Sequence, residues 1–249
     1  MIEIGNAQII GERENQEDYF ATVPILGGYL CVVADGMGGY EGGEIASQIC
    51  VKDFIRFYKD NTNKFHLDKL LLEATHYAHS SIKSTIKENP SLEDMGTTLV
   101  SAIIKYNGIM WVNVGDSPMY RFRKHTLQRI NANHSVAGDL EIKLNNGEIT
   151  QQEFDTDENK HMLTSAITCD DIPILELQDT FLQVENDDIY ILASDGIHSI
   201  SDDKISSIIS KNTSSAQSIA QNLIDAVEQK NVQYQDNTTI IVAKINKKG

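Results

Sequence analysis

The stretch Leu30-Cys31-Val32-Val33-Ala34-Asp35-Gly36-Met37-Gly38-Gly39 is an apolar run that stops at a carboxylate and a cluster of glycines. A short apolar run bounded by glycine is typical of a strand that is buried on both faces. The glycines that follow permit backbone angles and close approaches that a Cβ atom would block. We therefore predict a buried strand that delivers Asp35 to a polar site.

The same pattern of an apolar run beside an acidic residue recurs at distant places in the chain. Asp116 follows the run 109–114, Asp195 follows the run 189–193, and Asp236 precedes the run 238–245. Carboxylates that are brought together repel one another unless a cation lies between them, and carboxylate oxygens suit hard divalent cations. The four strand-end carboxylates therefore predict a shared metal site with oxygen ligands.

Length and charge restrict the class of protein. The chain has 249 residues, 41% of them hydrophobic, and we expect a single domain over residues 1–249. Its 36 acidic and 21 basic residues give a formal charge of -15. Nucleic-acid surfaces draw most of their affinity from basic patches, so this charge argues against nucleic acid as a partner.

The cysteines and the apolar runs indicate a compartment. Cys31, Cys50 and Cys169 are widely spaced and form no CxxC pattern, which favours free thiols in a reducing environment. The first residues lack a basic region followed by a long apolar segment, and no later run is long enough to cross a bilayer. We expect a cytoplasmic protein without a membrane partner.

Hydrophobic periodicity predicts the order of the elements. Strands are expected over 2–10, 19–23, 97–104, 109–114, 119–122, 127–130, 183–184, 189–193 and 238–245. Helical spacing is found over 46–57 and 67–86, after an N-cap at Asp202, and over 216–227. Periodicity is weak over 131–179, which we interpret as a surface flap, and Lys244, Lys247 and Lys248 are typical of a solvated end. This order predicts an α+β fold in which helix pairs cover antiparallel sheets.

Several polar residues leave alternatives open at this stage. Arg13 lies in a charged loop with Glu17 and Asp18, which is either a solvated surface or part of the ligand set. His76 and His79 are three residues apart in a predicted helix, but a third ligand is missing nearby, so surface positions are favoured over a metal site.

Six motifs in order resemble the metal-dependent PPM/PP2C-type serine/threonine protein phosphatases of the bacterial branch. They are Arg13 with Asn15-Gln16-Glu17-Asp18, Asp35-Gly36-Met37-Gly38-Gly39, Gly96-Thr97-Thr98, Gly115-Asp116-Ser117, Ser194-Asp195-Gly196 and Asp236-Asn237-Thr238-Thr239. The resemblance extends from about residue 5 to residue 245, and its weight comes from the ordered co-occurrence of motifs that are weak one by one.

The resemblance implies a sandwich of two antiparallel β-sheets flanked by helix pairs, with two Mn2+ or Mg2+ ions in a cleft at one edge. It implies that Asp35, the carbonyl of Gly36, Asp195 and Asp236 are the core ligands. Glu17 and Asp18 match acidic positions that support the same site, and Asp116 with Asp195 matches the pair that holds a third, weaker ion.

The implied activity is hydrolysis of phosphoserine and phosphothreonine on proteins by a metal-bridged water, which needs no protein nucleophile. Arg13 would bind two phosphate oxygens, and its alternative is a salt bridge to Glu17. A monomer that acts on a cognate Ser/Thr kinase and its targets is expected. Ser117 and Ser194 are not expected to be nucleophiles, and His134 and His161 are interpreted as structural and loop residues.

This chain departs from the family pattern at four places. Met37 stands where some members carry a histidine, which leaves the proton donor unassigned. Pro118 and Ser165 stand where arginine is common, and Asn133 replaces an aspartate. Because these changes cluster near the flap, they bear on substrate choice, and two alternatives remain: a pseudo-phosphatase that binds phosphoproteins without turnover, and a phosphatase of a small phosphoester.

Overall fold

The computed structural model describes residues 1–39, 41–211, 215–230 and 232–246. The strands are β1 Ile2–Ile9, β2 Asp18–Ile25, β3 Gly28–Met37, β4 Gly96–Thr97, β5 Leu99–Lys105, β6 Gly108–Val114, β7 Met119–Arg123, β8 Thr126–Arg129, β9 Glu176–Leu182, β10 Ile189–Ala193 and β11 Thr238–Ile245. The α-helices are α1 Gly42–Asn61, α2 Leu67–Glu88, α3 Val136–Asn145, α4 Gln151–Thr156, α5 Asp202–Lys211 and α6 Ala216–Lys230. Short 3-10 helices cover Pro90–Leu92 and Asp195–Ser199.

The strands form two antiparallel sheets that pack face to face. One sheet has the order β1-β11-β10-β7-β8, and the other has the order β2-β3-β5-β6-β9, with β4 paired to β3. Helices α1 and α2 cover the second sheet, and α5 and α6 cover the first. The predicted α+β sandwich with flanking helix pairs is confirmed.

Strand β3 shows how the sequence builds these layers. Side chains alternate between the two faces of a strand. Leu30, Val32 and Ala34 pack under α1 and α2, whereas Cys31 and Val33 enter the core between the sheets. Asp35 continues the alternation of Cys31 and Val33, so its side chain emerges at the edge of the space between the sheets.

The predicted flap contains more regular structure than its periodicity indicates. Residues 131–179 include α3 and α4 and the start of β9. Helix α4 begins with a capping box in which Thr150 accepts from the Glu153 N–H and Glu153 accepts from the Thr150 N–H, a local signal that periodicity does not detect because the helix is short. The expected strand at 183–184 is wrong, since β9 ends at Leu182.

Two further expectations concern the start of α5 and the end of the chain. Asp202 is the first residue of α5, not its N-cap; the Ser201 hydroxyl accepts from the Lys204 N–H at 3.3 Å. Of the predicted solvated end, Lys244 is half-buried within β11, and Lys247 and Lys248 lie outside the described residues.

Across the part of the chain that the structure describes, every helix is too short or too polar to cross a bilayer.

Candidate active site

The ends of β2, β3, β10 and β11 bring acidic residues to one edge of the sandwich. Asp18 lies opposite Asp35 in the β2–β3 register. Asp195 opens the 3-10 helix after β10, and Asp236 precedes β11, which pairs with β10. A cleft of about 700 Å³ opens there, lined among others by Arg13, Glu17, Asp35, Gly36, Asp116, His161, Asp195 and Asp236. Of the sequence-predicted site residues, Asp18 alone is missing from this lining.

Asp35 is fixed by hydrogen bonds from the segment that precedes β5. Its N–H donates to Thr98 Oγ1 at 3.0 Å, and its carbonyl accepts from the Thr98 N–H at 2.9 Å and from Thr97 Oγ1 at 2.9 Å. The carboxylate is left for the cleft, where the Asp195 N–H donates to its Oδ2 at 3.4 Å. The threonines of the Gly96-Thr97-Thr98 motif therefore act on the backbone of Asp35.

Asp18 lies behind the cleft with 2% of its surface exposed. Ser194 Oγ donates to its Oδ2 at 2.6 Å, while Oδ1 is buried without a hydrogen-bond partner in the described structure. Burial raises the pKa of Asp18 to about 6. Burying a carboxylate oxygen without a hydrogen-bond partner costs free energy. Asp18 on β2 lies directly opposite Asp35 on β3.

The electrostatics of the cleft favour a cation. Burial, followed by the charges of neighbouring carboxylates, raises the pKa of Asp35 and raises that of Asp195 to about 7. Burial also raises the pKa of Asp116, an effect that the positive charge of Arg129 opposes. The shifts at Asp35 and Asp195 record the cost of holding negative charges close together away from water, and the shift at Asp116 records the cost of burying a carboxylate. A bound cation offsets both costs.

The donor set suits a divalent ion with hard oxygen ligands. The carboxylates that line the cleft offer oxygen donors and no thiolate, as Mg2+ and Mn2+ prefer. Within the described ranges, however, no three acidic, histidine or cysteine side chains converge tightly enough to hold an ion as they stand. The residues fit the ions in type and location, and the side chains would have to draw together around them.

Gly36 brings the start of α1 against the site. A Cβ atom at Gly36 would lie 2.1 Å from the carbonyl oxygen of Gly43 and 2.6 Å from that of Glu17. The Gly36 N–H donates to the Glu17 carbonyl at 3.1 Å. These contacts leave no room for a Cβ atom, so a glycine is needed after Asp35. Glu17, whose carbonyl is part of the contact, lies on the wall of the cleft.

Arg13 pairs with Asp236 rather than with Glu17. Its Nη2 lies 2.7 Å from Asp236 Oδ2, and half of the arginine side chain is exposed. The expected alternative, a salt bridge to Glu17, is wrong for the described structure, because the nearest carboxylate comes from the segment before β11. The guanidinium thus stands at the mouth of the cleft beside a candidate ligand.

The histidines and serines of the motifs have structural partners. Ser117 Oγ lies 2.8 Å from Thr98 Oγ1, and the hydroxyl of Ser194 donates to the Asp18 carboxylate. His134 Nδ1 accepts from the Gly115 N–H at 3.2 Å, and burial lowers the pKa of His134. His79, one of the two helical histidines weighed as a metal site, contacts the carbonyl of Asp170 at 2.7 Å and does not line the cleft.

Two residues that hold the site were missed by reasoning from the sequence. The Asn237 side chain accepts from the Glu17 N–H at 2.7 Å and donates to the carbonyls of Ile10 and Asn15. It joins the segment before β2 to the segment before β11, and the motif Asp236-Asn237 was its signal. Arg129, which contacts the Asp116 loop, lies outside every motif.

The fold and the cleft define an α+β sandwich with an acidic centre suited to divalent metal ions, and comparisons with known proteins place the chain in a family. The family model of protein phosphatase 2C matches residues 5–235. The serine/threonine phosphatase stp of Listeria monocytogenes is 28% identical over 171 residues, which are 68% of this chain and 66% of that protein. The chain thus matches slightly less than two thirds of this relative's length.

Solved structures agree over nearly the whole chain. The Mycobacterium tuberculosis serine/threonine phosphatase PstP/Ppp has a TM-score of 0.83 at 26% identity, with 99% of each chain covered. A structure of the PstP catalytic domain in complex with two manganese ions has a TM-score of 0.80 at 27% identity, again with 99% of each chain covered. The chain belongs to the protein phosphatase 2C family.

Proposed function

We propose that this protein hydrolyses phosphoserine and phosphothreonine on proteins with the help of divalent metal ions. The observation that carries the proposal is the convergence of Asp35, Asp195, Asp236 and Arg13 on one open cleft in a chain of the protein phosphatase 2C family. Support comes from similarity to serine/threonine phosphatases and from a neighbour that binds two manganese ions.

In the proposed site, each residue has a distinct task. Asp35, the Gly36 carbonyl, Asp195 and Asp236 would hold two Mn2+ or Mg2+ ions, and Asp116 with Asp195 would hold a third, weaker one. Glu17, on the cleft wall, and Asp18, buried behind it, would support the core ligands. When bound, such ions supply an acidified water and neutralise phosphoryl oxygens.

The arginine would orient the substrate. The guanidinium of Arg13 stands half exposed at the mouth of the cleft and donates to Asp236 through Nη2. A guanidinium presents several donors in one plane, which matches two oxygens of a phosphate. Arg13 would thus hold the phosphoryl group for in-line attack while its charge offsets that of the substrate.

The direct test is release of phosphate from a phosphothreonine peptide. We expect turnover with Mn2+ or Mg2+, loss of turnover in excess chelator, and recovery when Mn2+ is restored. Mn2+ should also raise the Tm of the protein, because a ligand that binds only the folded state stabilises it. Absence of release with both metals would refute the proposal, and tight peptide binding without turnover would identify a pseudo-phosphatase instead.

Removal of the guanidinium should weaken the handling of phosphate. For Arg13→Met we expect kcat/KM on the peptide to fall about 10–100-fold, since a charge-assisted hydrogen bond contributes about 1.5–3 kcal/mol. The matched control is Arg56→Met, because Arg56 is also an exposed arginine paired with an aspartate, Asp53. Steady-state kinetics in saturating Mn2+ measure both, and equal values for the two variants would contradict a role for Arg13.

The proposed substrates are the phosphorylated targets of a Ser/Thr kinase, reached by a monomer in the cytoplasm. The unpaired thiols of Cys31, Cys50 and Cys169 support a reducing compartment. A small phosphoester is the alternative substrate, and a side-by-side assay against phosphopeptides separates the two. A clear preference for the metabolite would replace the protein substrate in this proposal.

A further inference from the structure

The loop of residues 115–118, which carries Asp116, is held by a donor on each of its carbonyl oxygens. The Gly115 carbonyl accepts from the His134 N–H at 3.1 Å and from Asn113 Nδ2 at 3.2 Å. The Ser117 carbonyl accepts from Asn131 Nδ2 at 2.9 Å. The Pro118 carbonyl accepts from the Ala193 N–H at 3.1 Å.

The fourth carbonyl, that of Asp116 itself, accepts from Arg129. Arg129 Nη2 donates to this oxygen at 2.8 Å and to the Ala132 carbonyl at 3.3 Å. Arg129 Nε donates to Asn131 Oδ1 at 3.2 Å. One planar group at the end of β8 therefore joins the backbone of Asp116 to residues 131 and 132, where the flap begins.

The charge of Arg129 is available to this loop. Among the described residues, no carboxylate lies within ion-pair distance of its guanidinium, and its donors go to uncharged oxygen atoms instead. Its positive charge opposes the rise in the pKa of Asp116 that burial causes. The loop cannot supply such a group itself, because residue 118 is proline.

We infer that Arg129 is the positioning residue for Asp116. It holds the Asp116 backbone beside the cleft that Asp116 and Asp195 both line, and it binds residues 131 and 132 of the flap with the same guanidinium. The inference rests on the proposed function, in which Asp116 and Asp195 share the weaker ion. Loss of Arg129 should therefore weaken that ion and leave the core pair, whose ligands lie on other segments, in place.

The test is direct Mn2+ binding to the purified full chain, followed by the electron paramagnetic resonance signal of free Mn2+. For Arg129→Met we expect the Kd of the weakest Mn2+ to rise about tenfold, the lower end of the effect of losing an outer partner of a metal ligand. The tighter Mn2+ should change less than about twofold.

A matched control separates positioning from general stability. Arg121 lies on the neighbouring strand of the same hairpin, and its guanidinium donates to Gln128 at 2.7 Å without contacting the Asp116 loop. Arg121→Met should leave every Mn2+ affinity unchanged. A weak-site Kd in folded Arg129→Met equal to that of the wild type, with only a lower Tm, would overturn the inference.

A second variant keeps the test decisive if Arg129→Met does not fold. Arg129→Lys keeps the charge but offers one compact donor group in place of a planar fork, so the weak Kd should rise by a smaller factor. An unchanged weak Kd in this folded variant would overturn the inference. Wild-type protein that binds no Mn2+ or shows no turnover would refute the proposed function itself, a result that is distinguishable from a failure of Arg129 alone.

Discussion

Asp35→Asn is expected to lower kcat/KM for a phosphothreonine peptide by at least about 10³, because a bound divalent ion contributes several kcal/mol to the transition state of phosphoryl transfer. Asparagine keeps the shape of the side chain and can still accept the Asp195 N–H, which reaches Asp35 Oδ2 at 3.4 Å. The loss should therefore be one of metal binding, not of folding. Steady-state kinetics across a Mn2+ titration measure it.

Although Asp35→Asn should lower activity, it should raise the thermal stability of the metal-free protein in chelator. Burial, followed by the charges of neighbouring carboxylates, raises the pKa of Asp35, so a neutral amide at this position removes the cost of either burying the charge or protonating the carboxyl group at neutral pH in the metal-free protein. We expect the Tm in chelator to rise by about 2–5 °C and the further rise on addition of Mn2+ to shrink. Asp179→Asn, at an exposed position of β9, is the control. A wild-type response to Mn2+ in Asp35→Asn would contradict the assignment of Asp35 as a ligand.

Gly36→Ala is expected to destabilise the fold by about 3 kcal/mol or more, at the upper end of overpacking effects. The added Cβ would lie 2.1 Å from the Gly43 carbonyl oxygen and 2.6 Å from that of Glu17. Both are backbone atoms and cannot rotate away, so α1 or β3 must move. Denaturant unfolding of the metal-free protein measures the change in the free energy of unfolding.

Gly39→Ala provides a matched control three residues further along. A Cβ at Gly39 would meet nothing within 4 Å, so this variant should unfold within about 0.5 kcal/mol of the wild type. Equal stability of the two variants would show that the β3–α1 contact tolerates a side chain. If Gly36→Ala folds, its loss of activity should exceed that of Gly39→Ala, since the Gly36 carbonyl is a proposed ligand.

The predictions about Asp35 and Gly36 concern the same edge of the sandwich. The site gathers negative charge at the sandwich edge, which costs stability when the ions are absent, and it packs the start of α1 tightly behind the same edge. Carboxylates at functional sites commonly carry perturbed pKa values for this reason. The metal response of the Tm is therefore as informative about the site as the activity is.

Much of the fold could be predicted because its signals are local. The continuous apolar run of β3 and the helical spacing in α1, α2, α5 and α6 each depend on neighbours within a few residues. The acidic strand ends could be predicted in the same way, since an apolar run that stops at Asp35 or Asp195 marks where burial ends. Helix α4 was not predicted, because its six residues are too few to show a helical period in the sequence.

The remaining features depend on partners that are far apart in the sequence. Arg13 pairs with a carboxylate 223 positions away, and Asp18 is buried because its strand register places it opposite Asp35 and under Ser194. The role inferred for Arg129 depends on β8 lying beside the Asp116 loop. The local pattern of the chain thus specifies which carboxylates reach the sheet edge, whereas register and sheet packing decide which groups surround them, because those contacts have no sequence period.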